Sequence, residues 1–132
     1  MQYNKILRAQ APIQYMTKLK LPIRENKKSR QIYQMALEMK DIIEYVKQEE
    51  IKIINKYNGT VQPDGMIYFG DDEDGVRRAN LCVQEIQEFE ASDAEWNHEV
   101  IKLSEESLVD DAGFTLSPEE IFYLEGFVEF ED

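Results

Sequence analysis

The sequence predicts a mainly α fold with a minor β component (α+β): a long amphipathic helix packed against a second helix and short terminal helices, with a small β-hairpin or short strands. Three observations predict it. Between Ile23 and Tyr57 there is neither Gly nor Pro. Within that stretch Ile32, Met35, Met39, Ile42, Val46 and Ile53 fall at alternating spacings of three and four, with one missing step at Glu49. Pro63-Asp64-Gly65 carries turn chemistry and is followed by the β-compatible side chains Met66, Ile67, Tyr68 and Phe69. Ser117-Pro118-Glu119-Glu120 combines an N-cap serine, a proline at the first helical position and a glutamate that reaches back, which is a capping box.

Each element follows from local chemistry. Residues 3–20 carry Ile6, Leu7, Ile13, Tyr15, Met16 and Leu19, with Leu21 just beyond. Pro12 lacks a backbone donor and its ring crowds the preceding turn, so two short helices, or one restarted near Pro12, are expected. Pro22 suits the first turn of the next helix. On that helix Tyr33, Ala36, Leu37, Ile43, Ile51 and Ile54 widen the apolar stripe, so it is expected to meet more than one partner surface.

Asn58-Gly59 is expected to end the long helix, with the glycine in the left-handed conformation. Thirty-five helical residues make a rod of about 52 Å. A compact globule of 132 residues has a diameter of only about 36 Å. The rod must therefore bend, project, or lie along another helix.

A hairpin or ordered loop is expected over 60–69, an exposed polar loop over 71–75, and a second helix over 76–91. Ala79, Leu81, Val83, Ile86 and Phe89 are its candidate buried positions, and the long helix is its expected partner. Residues 98–103 alternate as an exposed strand, with His98, Val100 and Lys102 on one side and Glu99, Ile101 and Leu103 on the other. A short helix from Ser117 through Leu124 stops at Gly126, and Phe127, Val128 and Phe130 form an apolar ending diluted by acids. No repeat, linker or low-complexity tract interrupts the chain, so one domain over 1–132 is expected.

The net charge of −12 is unevenly distributed. Residues 1–60 hold 12 basic and 6 acidic side chains, and residues 61–132 hold 3 basic and 21 acidic ones. A basic helical half is thus followed by an acidic half containing the hairpin or loop, a helix, a short strand and the last helix. Such halves are either solvated faces or surfaces that meet, within one molecule or between copies.

No apolar run approaches the roughly 20 residues of a membrane span. The first 20 residues are too polar for a signal peptide, so the cytoplasm is the expected location. The one cysteine, Cys82, cannot form an internal bridge and reads as a small buried hydrophobe.

The candidate interaction residues are Lys27, Lys28 and Arg30, the acidic run Asp71, Asp72, Glu73 and Asp74, and Trp96. The basic cluster could touch phosphate, but a solvated helix end or a contact for the acidic half is the plainer reading. The acidic run invites a calcium reading. Placing Gly75 at the turning position of an EF-hand loop puts Gly70 and Leu81 at the first and last ligand positions, where neither side chain can bind the ion.

His98 and Cys82 alone are no zinc ligand set, and His98 reads as a surface histidine. Acidic pairs such as Glu85 with Glu88, or Asp110 with Asp111, are too common to mark catalysis. Phosphate-loop, dinucleotide and serine-nucleophile motifs are absent. No catalytic, cofactor or metal residues are expected, and the chain reads as a non-enzyme.

One further signal lies in the order of the pieces. Leu21-Pro22-Ile23 opens the long helix and Lys56-Tyr57-Asn58-Gly59 closes it. An Asp/Gly-rich insert, a second helix and Glu99-Val100-Ile101 follow, and the chain finishes with Leu116-Ser117-Pro118-Glu119-Glu120, Leu124 and an acidic-apolar tail. This order resembles the small proteins carried by tailed phages and prophages of Gram-positive bacteria and grouped as a phage domain of unknown function. Ala112-Gly113-Phe114 departs from that pattern, where the approach to the last helix is ordinarily more charged.

The resemblance implies a phage gene product acting on a virion part or a host protein. The expectation is a protein-binding accessory protein with a phage or host protein as partner, self-association through the long helix being one form of it. Nucleic acid and membrane are not expected partners. The alternative is an acidic inhibitor that mimics nucleic acid toward a host defence or nucleic-acid-binding enzyme.

Overall fold

In a computed structural model, residues 1–104 and 115–131 are described. The expectations placed on Asp110, Asp111 and 112–114 lie outside those residues. Among the described residues, four helices and four short strands follow in the order α1 (Tyr3–Met16), α2 (Asn26–Lys56), β1 (Thr60–Val61), β2 (Ile67–Tyr68), α3 (Glu73–Glu90), β3 (Ile101–Ser104), α4 (Pro118–Leu124) and β4 (Val128–Glu131). The fold is mainly α with a minor β part, as the periodicity predicts. A 3-10 turn, Ile23–Glu25, leads directly into α2, so Pro22 precedes the helical stretch instead of occupying its first turn.

The 31 residues of α2 form a spine of about 46 Å. Two helices divide its length. The N-terminal half packs against α1, where Ile6, Ala9, Ile13 and Met16 meet Ile32, Met35, Ala36 and Met39 in the main core. The C-terminal half packs against α3, and Val46, Ile54 and Cys82 are buried there outside the main core. The helices α1 and α3 meet near the middle of the spine. Tyr3 stacks on Phe89 at 5.0 Å between centroids, and Tyr45 of α2 touches both rings at 6.1 and 6.2 Å. The excess length of the rod is therefore covered by two helices placed end to end.

Pro12 does not divide the first helix. It is buried inside α1, between the core positions Ala9, Ile13 and Met16. Burial of that face offsets the one hydrogen bond that proline removes, and its fixed φ is already helical. At the far end of α2, Asn58 and not Gly59 takes the left-handed conformation, with φ 56°. The Gly59 amide donates to the Ile54 carbonyl at 2.9 Å, closing the helix in a Schellman-type turn. Glycine is required at 59 for room: a Cβ there would lie 2.8 Å from Phe69 Cε1 and 2.9 Å from Ile54 Cγ2.

The acidic run is not a loop before a later helix. Asp72 is the N-cap of α3, its carboxylate accepting from the Gly75 amide at 2.8 Å, and Glu73 and Asp74 form the first turn. Acids favour this end of a helix, where unpaired amides carry partial positive charge. Along α3 Cys82 is buried as expected and Ala79, Ile86 and Phe89 are half-buried, but Leu81 and Val83 are exposed because only one narrow face meets α2.

The expected exposed strand is β3, shifted to begin at Ile101. It pairs in parallel with β4, which aligns Ile101 with Val128 and Leu103 with Phe130. Ile101, Leu103 and Val128 are buried, so this small sheet belongs to the core. The apolar ending is thus a strand rather than a tail. The capping box at Ser117 forms with both of its hydrogen bonds, 2.9 and 3.1 Å long.

Candidate functional site

The hairpin β1–β2 sits at the far end of the α2–α3 pair, forming the tip of an arm. Its strands are antiparallel, with Val61 opposite Ile67. Asp64 accepts from the Met66 amide at 3.0 Å, which sets the turn expected from Pro63-Asp64-Gly65. With only two residues per strand, the hairpin needs anchoring to the arm.

Arg78 supplies that anchor. Its guanidinium donates to the carbonyls of Tyr57 at 2.7 Å and Phe69 at 2.6 Å, and to Asp74 at 2.8 Å. One side chain thus joins the end of α2, the hairpin exit and the first turn of α3. Gly75 lets the hairpin exit pass close by, since a Cβ there would lie 2.6 Å from the Gly70 carbonyl oxygen. Lys56 pairs with Glu85 across the arm at 2.7 Å, which lowers the Glu85 pKa and raises that of Lys56.

The candidate residues occupy separate places. Lys27, Lys28 and Arg30 lie at the beginning of α2; Lys28 pairs with Glu25 at 3.4 Å. The acidic run lies at the opposite end of the spine. Asp71 accepts from the Tyr68 hydroxyl at 3.1 Å, Asp72 caps α3, and Asp74 is held below its usual pKa by its hydrogen bonds to Arg77 and Arg78. The basic cluster and the acidic run thus lie at opposite ends of α2.

Trp96 is in neither group. It packs edge-on against the buried Phe127 at 5.5 Å and beside His98 at 4.7 Å, at the margin of the main core. His98 precedes the strand and is hydrogen-bonded to Glu38 of α2, tying the segment after α3 back to the spine. Burial pushes the Cys82 thiol pKa up. Among the described residues, no group of three or more His, Cys, Asp or Glu side chains is placed to hold a metal ion, and no helix is long and apolar enough to cross a membrane.

What α2 leaves uncovered is an ordered strip. Arg30, Tyr33, Leu37, Lys40, Glu44, Lys47 and Ile51 are all exposed, and their spacings alternate three and four. They form a second heptad stripe, displaced by two residues and so nearly half a turn from the one that faces the core. Tyr33 is 59% exposed, Leu37 44% and Ile51 51%. The chain matches no protein-family model, no curated protein and no solved structure.

A cleft of about 290 Å³ lies between α1 and α4, lined by Lys5, Arg8, Phe122 and Tyr123 among others. Two cations, Lys5 and Arg8, face into it. Glu125 also lines it and reduces its appeal to an anion.

Two functional features escaped sequence reasoning. Arg78 reads as one more surface arginine until the fold brings two backbone segments, at Tyr57 and at Phe69, to it. The outer stripe was half visible, because Tyr33, Leu37 and Ile51 widen the apolar face. Only the packing of α1 and α3 shows that these three remain in solvent.

Proposed function

We propose that this chain is a non-enzymatic protein-binding accessory protein of phage or prophage origin, serving virion assembly or another phage accessory role. The phage part rests on the order of sequence segments. The binding part rests on one observation: the outer face of α2 exposes a heptad stripe, with Tyr33, Leu37 and Ile51 uncovered while the opposite face is buried in the core. Exposed apolar groups in helical register, interleaved here with the charged Lys40, Glu44 and Lys47, are the makings of a helix-docking surface.

Nucleic-acid mimicry has less support. A mimic needs a dense ordered array of free negative charge. Here Asp72 is engaged as a cap and Asp74 by two arginines.

The test is site-specific photocrosslinking in phage-producing cells. A photoreactive side chain at position 37 or 51 should give a discrete protein adduct, and one at position 122 in the α1–α4 cleft should not. Adducts at 122 alone, or none at 37 and 51, would overturn the reading.

A further inference from the structure

We infer that the small parallel sheet is completed from outside: the free edge of β4 takes up, as a third strand, an extended segment of a partner protein in which apolar and basic residues alternate. None of the residues lining this edge belongs to α2, so the inference does not depend on the role given above to the outer stripe.

The backbone carries the first step. Strand β3 pairs with β4 in parallel, and among the described residues neither strand has a second neighbour. Parallel sheets are ordinarily larger and covered on both faces. The Ile101 amide donates to the Phe127 carbonyl at 2.9 Å, and Ile101 lies opposite Val128. In a strand the amide and carbonyl of one residue point to the same side, and those of the next residue point to the other. Phe127, Glu129 and Glu131 therefore turn toward β3. The amides and carbonyls of Val128 and Phe130 point away from it, and they have no backbone partner among the described residues. Such an edge is a ready template for another strand.

The side chains supply the second step. A hollow of about 370 Å³ is lined by Val128, Glu129 and Phe130 of β4 and by Ile121 and Glu125 at α4. Successive side chains of a strand point to opposite faces, so three consecutive residues line one hollow where it follows the strand's edge. One edge of β4 is held by β3, and the hollow follows the other. Ile121 is 46% exposed and Phe130 is half-buried, which gives the groove apolar surface. Its charged residues, Glu125 and Glu129, are both acidic and exposed, and neither has an ion-pair partner among the described residues.

That composition selects the occupant. Apolar residues of an added strand meet Ile121 and Phe130, and basic ones meet Glu125 and Glu129. A second copy of β4 does not fit. Antiparallel pairing of Val128 with Phe130 of the second copy sets Glu129 directly opposite Glu129, and like charges so placed are destabilising. The recognition is strand addition, in which the backbone gives affinity and the alternating side chains give specificity.

The experiment titrates the isotope-labelled full chain with two blocked hexapeptides, one alternating lysine with valine and one alternating glutamate with valine. The lysine probe should saturate below about 1 mM and bind about tenfold or more tightly than the glutamate probe. With the lysine probe bound, hydrogen exchange at the Val128 and Phe130 amides should slow by about tenfold or more, while the Glu129 amide, already turned toward β3, should not change. Glu125→Lys combined with Glu129→Lys, both at exposed positions, should reverse the order of the two probes.

A lysine probe that fails to saturate would overturn the proposal. Binding that leaves the Val128 and Phe130 amides unprotected would also overturn it, because that is charge attraction without an added strand. So would a double variant, native by circular dichroism, that keeps the wild-type preference. The exchange measurement is made on the wild type and decides the matter whether or not the variant folds. Crosslinking from positions 37 and 51 tests the α2 face separately, so either reading can fail without the other.

Discussion

Replacing Arg78 should loosen the arm tip while leaving intact the head, the main core built on α1 and the N-terminal half of α2. The side chain is only 20% exposed and makes two short charge-assisted bonds to backbone carbonyls, 2.7 Å to Tyr57 and 2.6 Å to Phe69. Hydrogen bonds from a charged donor contribute about 1.5–3 kcal/mol each when well made. The Asp74 partner is 56% exposed, so that pair adds about 0–1 kcal/mol. Allowing for partial solvation, Arg78→Met, which keeps most of the apolar stem, should cost about 2–4 kcal/mol.

Arg78→Lys should recover less than half of that loss, because one ammonium cannot span carbonyls on two segments in the planar fork that Arg provides. With an m-value of about 1.5 kcal/mol per molar, a loss of about 3 kcal/mol lowers the urea midpoint by about 2 M. Hydrogen exchange localises the damage. The amides of Gly59 and Gln62, bonded to Ile54 and Met66, should lose more protection than that of Ile101, bonded to Phe127 in the head. A Lys variant as stable as the wild type, or protection lost equally throughout, would refute the idea that Arg78 fastens the tip.

Phe127 is fully buried and meets Trp96 edge-on, so Phe127→Ala should cost about 3–5 kcal/mol and shift the fluorescence of the only tryptophan to the red. Glu50 of α2 is half-buried near Glu90 at the end of α3, and burial followed by that neighbouring carboxyl raises the Glu50 pKa to about 7. Because the folded value lies above the unfolded one near 4.5, the folded state holds the extra proton. Stability should fall as pH rises from about 4.5 to about 7, and Glu50→Gln should flatten this slope in urea titrations at stepped pH. Cys82 is 1% exposed with its pKa raised by burial, so a thiol reagent at pH 8 should modify it only at the rate of unfolding, and fast labelling of the native chain would contradict the packing of α3 on α2.

The sequence by itself determined the elements whose signals are local. The capping box at Ser117, the turn at Pro63-Asp64-Gly65, the stop near Asn58 and the core stripe of α2 each depend on residues within a few positions of one another, and each forms where the chemistry places it. Tertiary structure decided what depends on distant partners. Burial of its helix face carries Pro12 through α1. The parallel pairing of Ile101–Ser104 with Val128–Glu131 makes a core strand from what reads as an acidic-apolar tail.

The candidate site divides in the same way. The apolar members of the outer stripe were legible, but a helix carrying two heptad stripes does not reveal which one its own chain will cover. That choice belongs to α1 and α3, which meet end to end at Tyr3 and Phe89 and cover one face of the spine. It rests on contacts across long stretches of sequence, which local periodicity does not encode.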